Sequence, residues 1–251
     1  MAGHSKFKNI QHRKNAQDSK RAKVFTKIIR EIVTAVKFGT DPEHNPRLRT
    51  ALSLGRSMNL PKDRIDRAIK ASESGDGENY IETRYEGFLP GGIALILETL
   101  SDNKNRTVSS IRSSITKGGG NLGETGSVSY MFDHFFIIEY PASIGDADYA
   151  LEIAIEAGAN EIISDEELHI IYTNIEDSSK VLEYLNSKFG EPNESYVGWK
   201  PQNLITIDDL EKAIKIIKLI DSLEDNDDVQ KVFSNYQFSD SILEALEKEA
   251  S

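Results

Sequence analysis

The stretch that decides the first part of the fold is Asp18–Gly39, DSKRAKVFTKIIREIVTAVKFG. Ala22, Phe25, Ile28, Ile29, Ile32, Val33 and Val36 recur at i, i+3 and i+4, the spacing of a helix face turned toward a core. At about 100° per residue, Lys20, Lys23, Lys27, Arg30 and Lys37 fall in a separate arc, with Arg21 at the apolar margin. Gly39 stops the helix. Ahead of it, Met1–Ala16 shows neither a helical nor a strand period and reads as a basic arm that orders when bound. Met1–Phe38 holds ten Lys/Arg against two acids, in a chain of 251 residues whose net charge is −11.

The charge is divided along the chain. Residues 1–78 are net +8, residues 79–132 are neutral, and residues 133–251 are net −19. Cations concentrated against the average of a chain point to an anionic partner at that end. The acidic remainder reads as a solubilising surface. With 28% charged and 38% hydrophobic residues the composition is that of a globular protein. The absence of cysteine excludes disulfides, thiolate catalysis and cysteine zinc sites. No run approaches the roughly 18 apolar residues of a membrane span. A basic amphipathic start also fits a mitochondrial-type targeting peptide. Its two acids, and a helix running on into a folded unit, favour a cytoplasmic protein.

Working outward, Asn45-Pro46 restarts a helix as cap and first turn, with Leu48, Ala51, Leu52 and Met58 inward. Pro61 opens a third helix with Ile65, Ala68 and Ile69 inward, giving a three-helix bundle over residues 1–78. Asp63 and Asp66 interrupt the cations of that third helix, so it is a poor groove reader. Two strands, Arg84–Leu89 and Ile93–Leu100, then flank Pro90-Gly91-Gly92. A helix over Thr107–Lys117 ends at Gly118-Gly119-Gly120, and Val128, Tyr130 and Phe132 alternate along a further strand. From His134 the order is β-α-β-β-α-β, a ferredoxin-like split motif. A helix Asp208–Leu223, with Thr206 and Asp209 as capping box, and a strand Val229–Tyr236 close the chain. The middle segment has too few helices to cover its sheet. The expectation is therefore an α+β protein of three domains: the bundle, a discontinuous α/β domain of residues 79–132 plus 204–251, and an inserted acidic domain of residues 133–203.

Lysines and arginines neutralise phosphates without reading bases. The expected nucleic-acid contacts are Lys6, Phe7, Lys8, His12, Arg13, Lys14, Lys20, Arg21, Lys23, Lys27 and Arg30, with Phe7 placed to stack on a base or to dock the arm. Lys104, Arg106, Arg112 and Lys117 form a possible second contact surface. The Gly118–Gly123 run is not a P-loop, because no Gly-Lys-Ser/Thr closes it and no helix follows. Asp225-Asn226-Asp227-Asp228 and Asp165-Glu166-Glu167 match no calcium loop and read as solvated turns. His4 and His12 lack a third ligand at metal spacing. No catalytic motif, metal site, cofactor site or small-molecule substrate site is evident.

The residues also resemble a known family. Met1–Lys6, Asn9-Ile10, His12-Arg13-Lys14, Gln17-Asp18, Lys20-Arg21, Phe25-Thr26-Lys27 and Ile29-Arg30-Glu31 are similar to the opening of the YebC/PmpR family. The likeness continues through Asn45–Arg49, Pro61-Lys62-Asp63, Tyr85-Glu86-Gly87, Pro90-Gly91-Gly92, Asn105-Arg106-Thr107, Gly119–Gly123, Gly126-Ser127-Val128 and Asp227–Gln230. Phe7 departs from it, since the family usually carries Trp there. The resemblance implies three domains and a non-enzymatic cytoplasmic regulator, described for the family as a DNA-binding transcriptional regulator. The alternative it implies is an RNA- or ribosome-associated translation factor, as for the mitochondrial translational activator. The expected partner is DNA or RNA, gripped by its backbone.

Overall fold

The computed structural model describes residues 17–74 and 78–250. It shows an N-terminal helical region followed by two β-sheet-containing domains. The helical region holds α1 (Gln17–Val36), α2 (Pro46–Ser57) and α3 (Lys62–Glu73). Phe25, Ile28, Ile32, Val33 and Val36 of α1 meet Leu48 and Ala51 of α2 and Ile65 and Ala68 of α3, so the apolar period becomes the core. Each fully buried Leu, Ile or Val among them stabilises the region by about 1.5–3 kcal/mol. Asn45 caps α2: its side chain accepts from the Leu48 N–H and donates to the carbonyls of Ala35 and Gly39. It thereby ties the α1 end to the α2 start. The turn between α2 and α3 passes through Asn59 at φ 57°, a left-handed value that Asn tolerates.

The first sheet has the order β3-β1-β2-β9, with β1 (Ile81–Leu89), β2 (Ile93–Ser101), β3 (Asn121–Leu122) and β9 (Val229–Ser234), all antiparallel. Strand β2 is central and buried on both faces, the reason Ile93–Leu97 reads as a continuous apolar run. Leu95 and Leu97 face Ile111 and Ile115 of α4 (Lys104–Lys117) and the apolar side of α7 (Leu210–Glu224). The C-terminal helix α8 (Asp240–Ala250) joins that core through Ile242, Leu243 and Leu246. Strands β8 (Ile205–Ile207) and β10 (Tyr236–Phe238) form a separate parallel pair.

The second sheet has the order β5-β6-β4-β7, built from β4 (Phe132–Pro141), β5 (Glu161–Ser164), β6 (Leu168–Thr173) and β7 (Glu194–Pro201), again antiparallel. The helices α5 (Ala147–Ala157) and α6 (Ser178–Phe189) cover one face, where Ile138, Tyr140, Ile153, Ile171, Val181 and Leu185 meet. Two local readings change. Ser129–Met131 is a single 3₁₀ turn, so the strand begins at Phe132 and Tyr130 is exposed. The cap of α7 is Asp209, which accepts from the Lys212 N–H, and Thr206 lies instead within β8.

The glycine-rich segment serves the sheet. A Cβ at Gly87 would stand 2.5 Å from the Asn121 carbonyl, and one at Gly120 would overlap the Phe88 carbonyl. The backbones of β1 and the β3 approach close only because both positions lack a side chain. The loop beyond β3 is fastened by Glu86, which is 2% exposed and accepts from the N–H groups of Gly126, Val128 and Ser129 at 2.8–2.9 Å. Burial opposes ionisation of this carboxyl, but the three donors outweigh it and hold it below its ordinary value.

The two sheets meet at Trp199. Its Nε1 donates to Glu98 Oε1 at 2.9 Å, His134 stacks on its ring at 4.2 Å, and the Arg84 guanidinium lies 4.3 Å from the ring centroid. Arg84 also donates to the same Glu98 oxygen at 2.9 Å. Desolvation, with the Arg84 charge nearby, lowers the affinity of His134 for a proton.

Candidate nucleic-acid interface

Helix α1 sorts its cations as its period requires, but one cationic side is already occupied. Lys23 Nζ lies 3.2 Å from Asp225 Oδ1, and Lys27 Nζ donates to the Glu224 carbonyl at 2.7 Å. Arg30 Nη1 reaches the carbonyls of Leu100 and Asp227 at 3.0 and 2.9 Å and Asp228 Oδ1 at 2.5 Å, with its guanidinium 5.0 Å from the Tyr80 ring. Lys37 donates to Asn79. The stripe is thus seated along the turn that follows α7 and the neighbouring ends of the first sheet.

Asp228 is the centre of that seat. It is 4% exposed, which corrects the reading of Asp225–Asp228 as uniformly solvated; Asp225 and Asp227 are exposed, Asp228 is not. Arg106 of α4 donates to both its oxygens at 3.1 and 3.2 Å, and the Thr107 hydroxyl lies 2.6 Å from Oδ2. Burial alone would raise its pKa. The bonds from Thr107, Arg30 and Arg106 overcome that and hold it below the ordinary carboxylate value. Nothing local announces this role, because Arg30 and Asp228 are 198 positions apart.

The start of α1 is differently placed. The Arg21 guanidinium lies 5.3 Å from the Phe25 ring and that of Arg64, from α3, lies 5.9 Å from the same ring. Both arginines are exposed. Two cations from two helices therefore converge where the basic N-terminal segment joins α1. Arg64 was not among the expected contacts, since its neighbours Asp63 and Asp66 masked it. Asp63 is taken by Arg67 at 2.5 Å, and Arg64 is the α3 cation that faces Phe25. Lys6, Phe7, Lys8, His12, Arg13 and Lys14 lie outside the described residues, as does the side chain of Lys20.

The second expected surface divides. Arg106 is committed to Asp102 and Asp228. Lys104, Arg112 and Lys117 are exposed on α4. Arg112 and Lys117 border an open depression of about 580 Å³ together with Asn105, Ser109, Ser113 and Thr116. Among the described residues no group of three or more His, Cys, Asp or Glu could hold a metal ion. No described helix is long and apolar enough to cross a membrane.

Comparison with known proteins agrees with this architecture. Residues 5–75 match the family model described as the TACO1/YebC protein N-terminal domain, and residues 80–236 match that of the TACO1/YebC second and third domain. A probable transcriptional regulatory protein of Rickettsia bellii (strain OSU 85-389) is 65% identical over 249 residues, 98% of this chain and 97% of that protein. One from Rickettsia akari (strain Hartford) is 61% identical over 251 residues, 99% of this chain and all of that protein. The crystal structure of a conserved hypothetical protein from Aquifex aeolicus superposes with a TM-score of 0.84 at 43% identity, covering 90% of this chain and 94% of that one. The chain belongs to the TACO1/YebC family.

Proposed function

We propose that the chain is a non-enzymatic nucleic-acid-binding regulator that grips the phosphate backbone through its basic N-terminal segment and the first turns of α1, where Arg21 is exposed. The observation that carries the reading is the convergence of Arg21 and Arg64 at Phe25, on a helix that follows directly in sequence on Lys6, Lys8, Arg13 and Lys14. Phosphate contacts of this kind position a protein on nucleic acid without reading sequence. The net −19 of residues 133–251 repels the backbone and favours its approach at the basic N-terminal end. On this reading the molecule acts as three units: a three-helix bundle over 1–78, an α/β sandwich of 79–132 plus 204–251, and an inserted domain, 133–203, whose ferredoxin-like reading is supported by the strand order β5-β6-β4-β7.

The relatives' name, probable transcriptional regulatory protein, supports DNA as the target. A second reading, a translation factor on RNA or the ribosome, is favoured by α3. Its Asp63–Arg67 pair and Asp66 leave no uninterrupted donor face to enter a groove. Crosslinking in cells followed by sequencing of bound DNA and RNA together separates the two, since one pool should dominate. Recovery of neither, with the protein abundant, would contradict the proposal.

A further inference from the structure

A second surface lies in the first sheet domain. Residues 103–123 form the longest run in the chain without Asp or Glu, in a protein that has 41 of them. The run includes α4, whose inward side is Thr107, Ile111 and Ile115. On the side away from that core, six polar residues, Asn105, Ser109, Arg112, Ser113, Thr116 and Lys117, border the open depression of about 580 Å³ together with the half-buried Val108. All six are exposed, and their side chains are engaged by no other described residue. The adjoining flank of the same helix is engaged: Ser110 accepts from Asn226, and Ser114 from Ser222.

The residue types are informative. An exposed helix face without a task is usually filled by Ala, Glu, Lys or Gln, which are better helix formers than Ser, Thr or Asn. Here the helix gives up that propensity for short side chains, and a local rule broken on a surface marks function more often than fold. Short hydroxyls let a polymer backbone approach closely, while Arg112 and Lys117 supply the charge to meet its phosphates. Phosphate oxygens only accept hydrogen bonds. The hydroxyls and the Asn105 amide can also accept, which matches a ribose 2′-OH able to donate.

We infer that this face of α4 is an RNA-backbone contact surface, with Arg112 and Lys117 on phosphates and Asn105, Ser109, Ser113 and Thr116 on ribose hydroxyls. It rests on the nucleic-acid reading above and extends it to a second site on the sheet domain. The surface belongs to a different part of the chain from the N-terminal segment, so RNA held by both meets more phosphate contacts than either supplies alone.

The test measures binding of the full chain to a fluorescein-labelled mixed-sequence RNA 20-mer and its deoxy counterpart, with circular dichroism as the folding control. Arg112→Glu with Lys117→Glu should weaken RNA binding about tenfold. Ser109→Ala with Ser113→Ala and Thr116→Ala, which favours the helix, should raise the RNA Kd about threefold and leave the DNA Kd unchanged. Unchanged RNA affinity in the double variant overturns the α4 surface. Equal losses for RNA and DNA in the triple variant overturn the assignment to ribose. A parallel variant with Lys6, Lys8, Arg13 and Lys14 changed to Glu separates the two readings. If it alone loses binding, the N-terminal grip stands without α4; if it binds as the parent does, the grip itself fails.

Discussion

Arg30 in the first helix places its guanidinium Nη1 2.5 Å from Asp228 Oδ1, and the two side chains are only 11% and 6% exposed. A pair so buried costs much more to half-remove than to keep, because the survivor is left charged and unpaired. Asp228→Asn should therefore destabilise the chain by about 3–5 kcal/mol in urea unfolding at neutral pH. A loss below 1 kcal/mol would mean that Arg106 and Thr107 do not depend on that carboxylate.

The same residue sets an acid limb. Its folded pKa lies below the ordinary value, so its contribution is fully present above the unfolded carboxylate pKa, about 3.9, and is lost as pH falls through the folded one. Unfolding free energy followed from pH 6 to pH 2 should fall through that window in the parent. The slope should be shallower in Asp228→Asn.

Glu86 should behave likewise, with a more local signature. Glu86→Gln removes charge from three backbone bonds and should cost about 1.5–3 kcal/mol. Hydrogen exchange should quicken first at Gly126, Val128 and Ser129, the donors it releases. Uniform acceleration across β1 and β2 would argue against a loop-fastening role.

The joint at Trp199 predicts a third, separable effect. Trp199→Phe keeps a ring beside Arg84 and His134 but loses the donor to Glu98, at a cost of about 1–2 kcal/mol. The unfolding midpoint should drop while binding to nucleic acid stays as in the parent.

Much of this fold is written locally. The Ile28–Ile32 period, the Asn45 cap and the Asn103 cap on Arg106 N–H all involve partners within one or two turns, so spacing and residue type disclose them. The β1–β2 hairpin is equally plain from Pro90-Gly91-Gly92, whose two glycines take φ 87° and 77°. What stays hidden depends on partners far along the chain. Asp228 looks like any turn carboxylate until Arg30, Arg106 and Thr107 are assembled around it. Arg64 looks neutralised until α3 packs against α1 and turns it to Phe25. Helical period alone identifies the cationic arc; it does not tell that Lys23, Lys27 and Arg30 sit against the α7–β9 turn.

That seating makes a prediction about competition. Asp225 is exposed and holds Lys23, so phosphate must share that lysine with it. Asp225→Asn should tighten RNA and DNA binding about two- to threefold at low salt, with the difference fading as screening shortens the reach of the charge. A variant that binds more weakly would show the contact to be part of the binding-competent form.

The most direct measurement of the central claim is the salt dependence of binding to a single-stranded oligonucleotide by the full chain and by Arg21→Ala with Arg64→Ala. The account predicts a log–log slope near −4 or steeper for the parent, from about six phosphate contacts, and a slope shallower by roughly 1.4 in the variant. A slope near zero in the parent, or an unchanged slope in the variant, would contradict a phosphate grip at this end of the molecule.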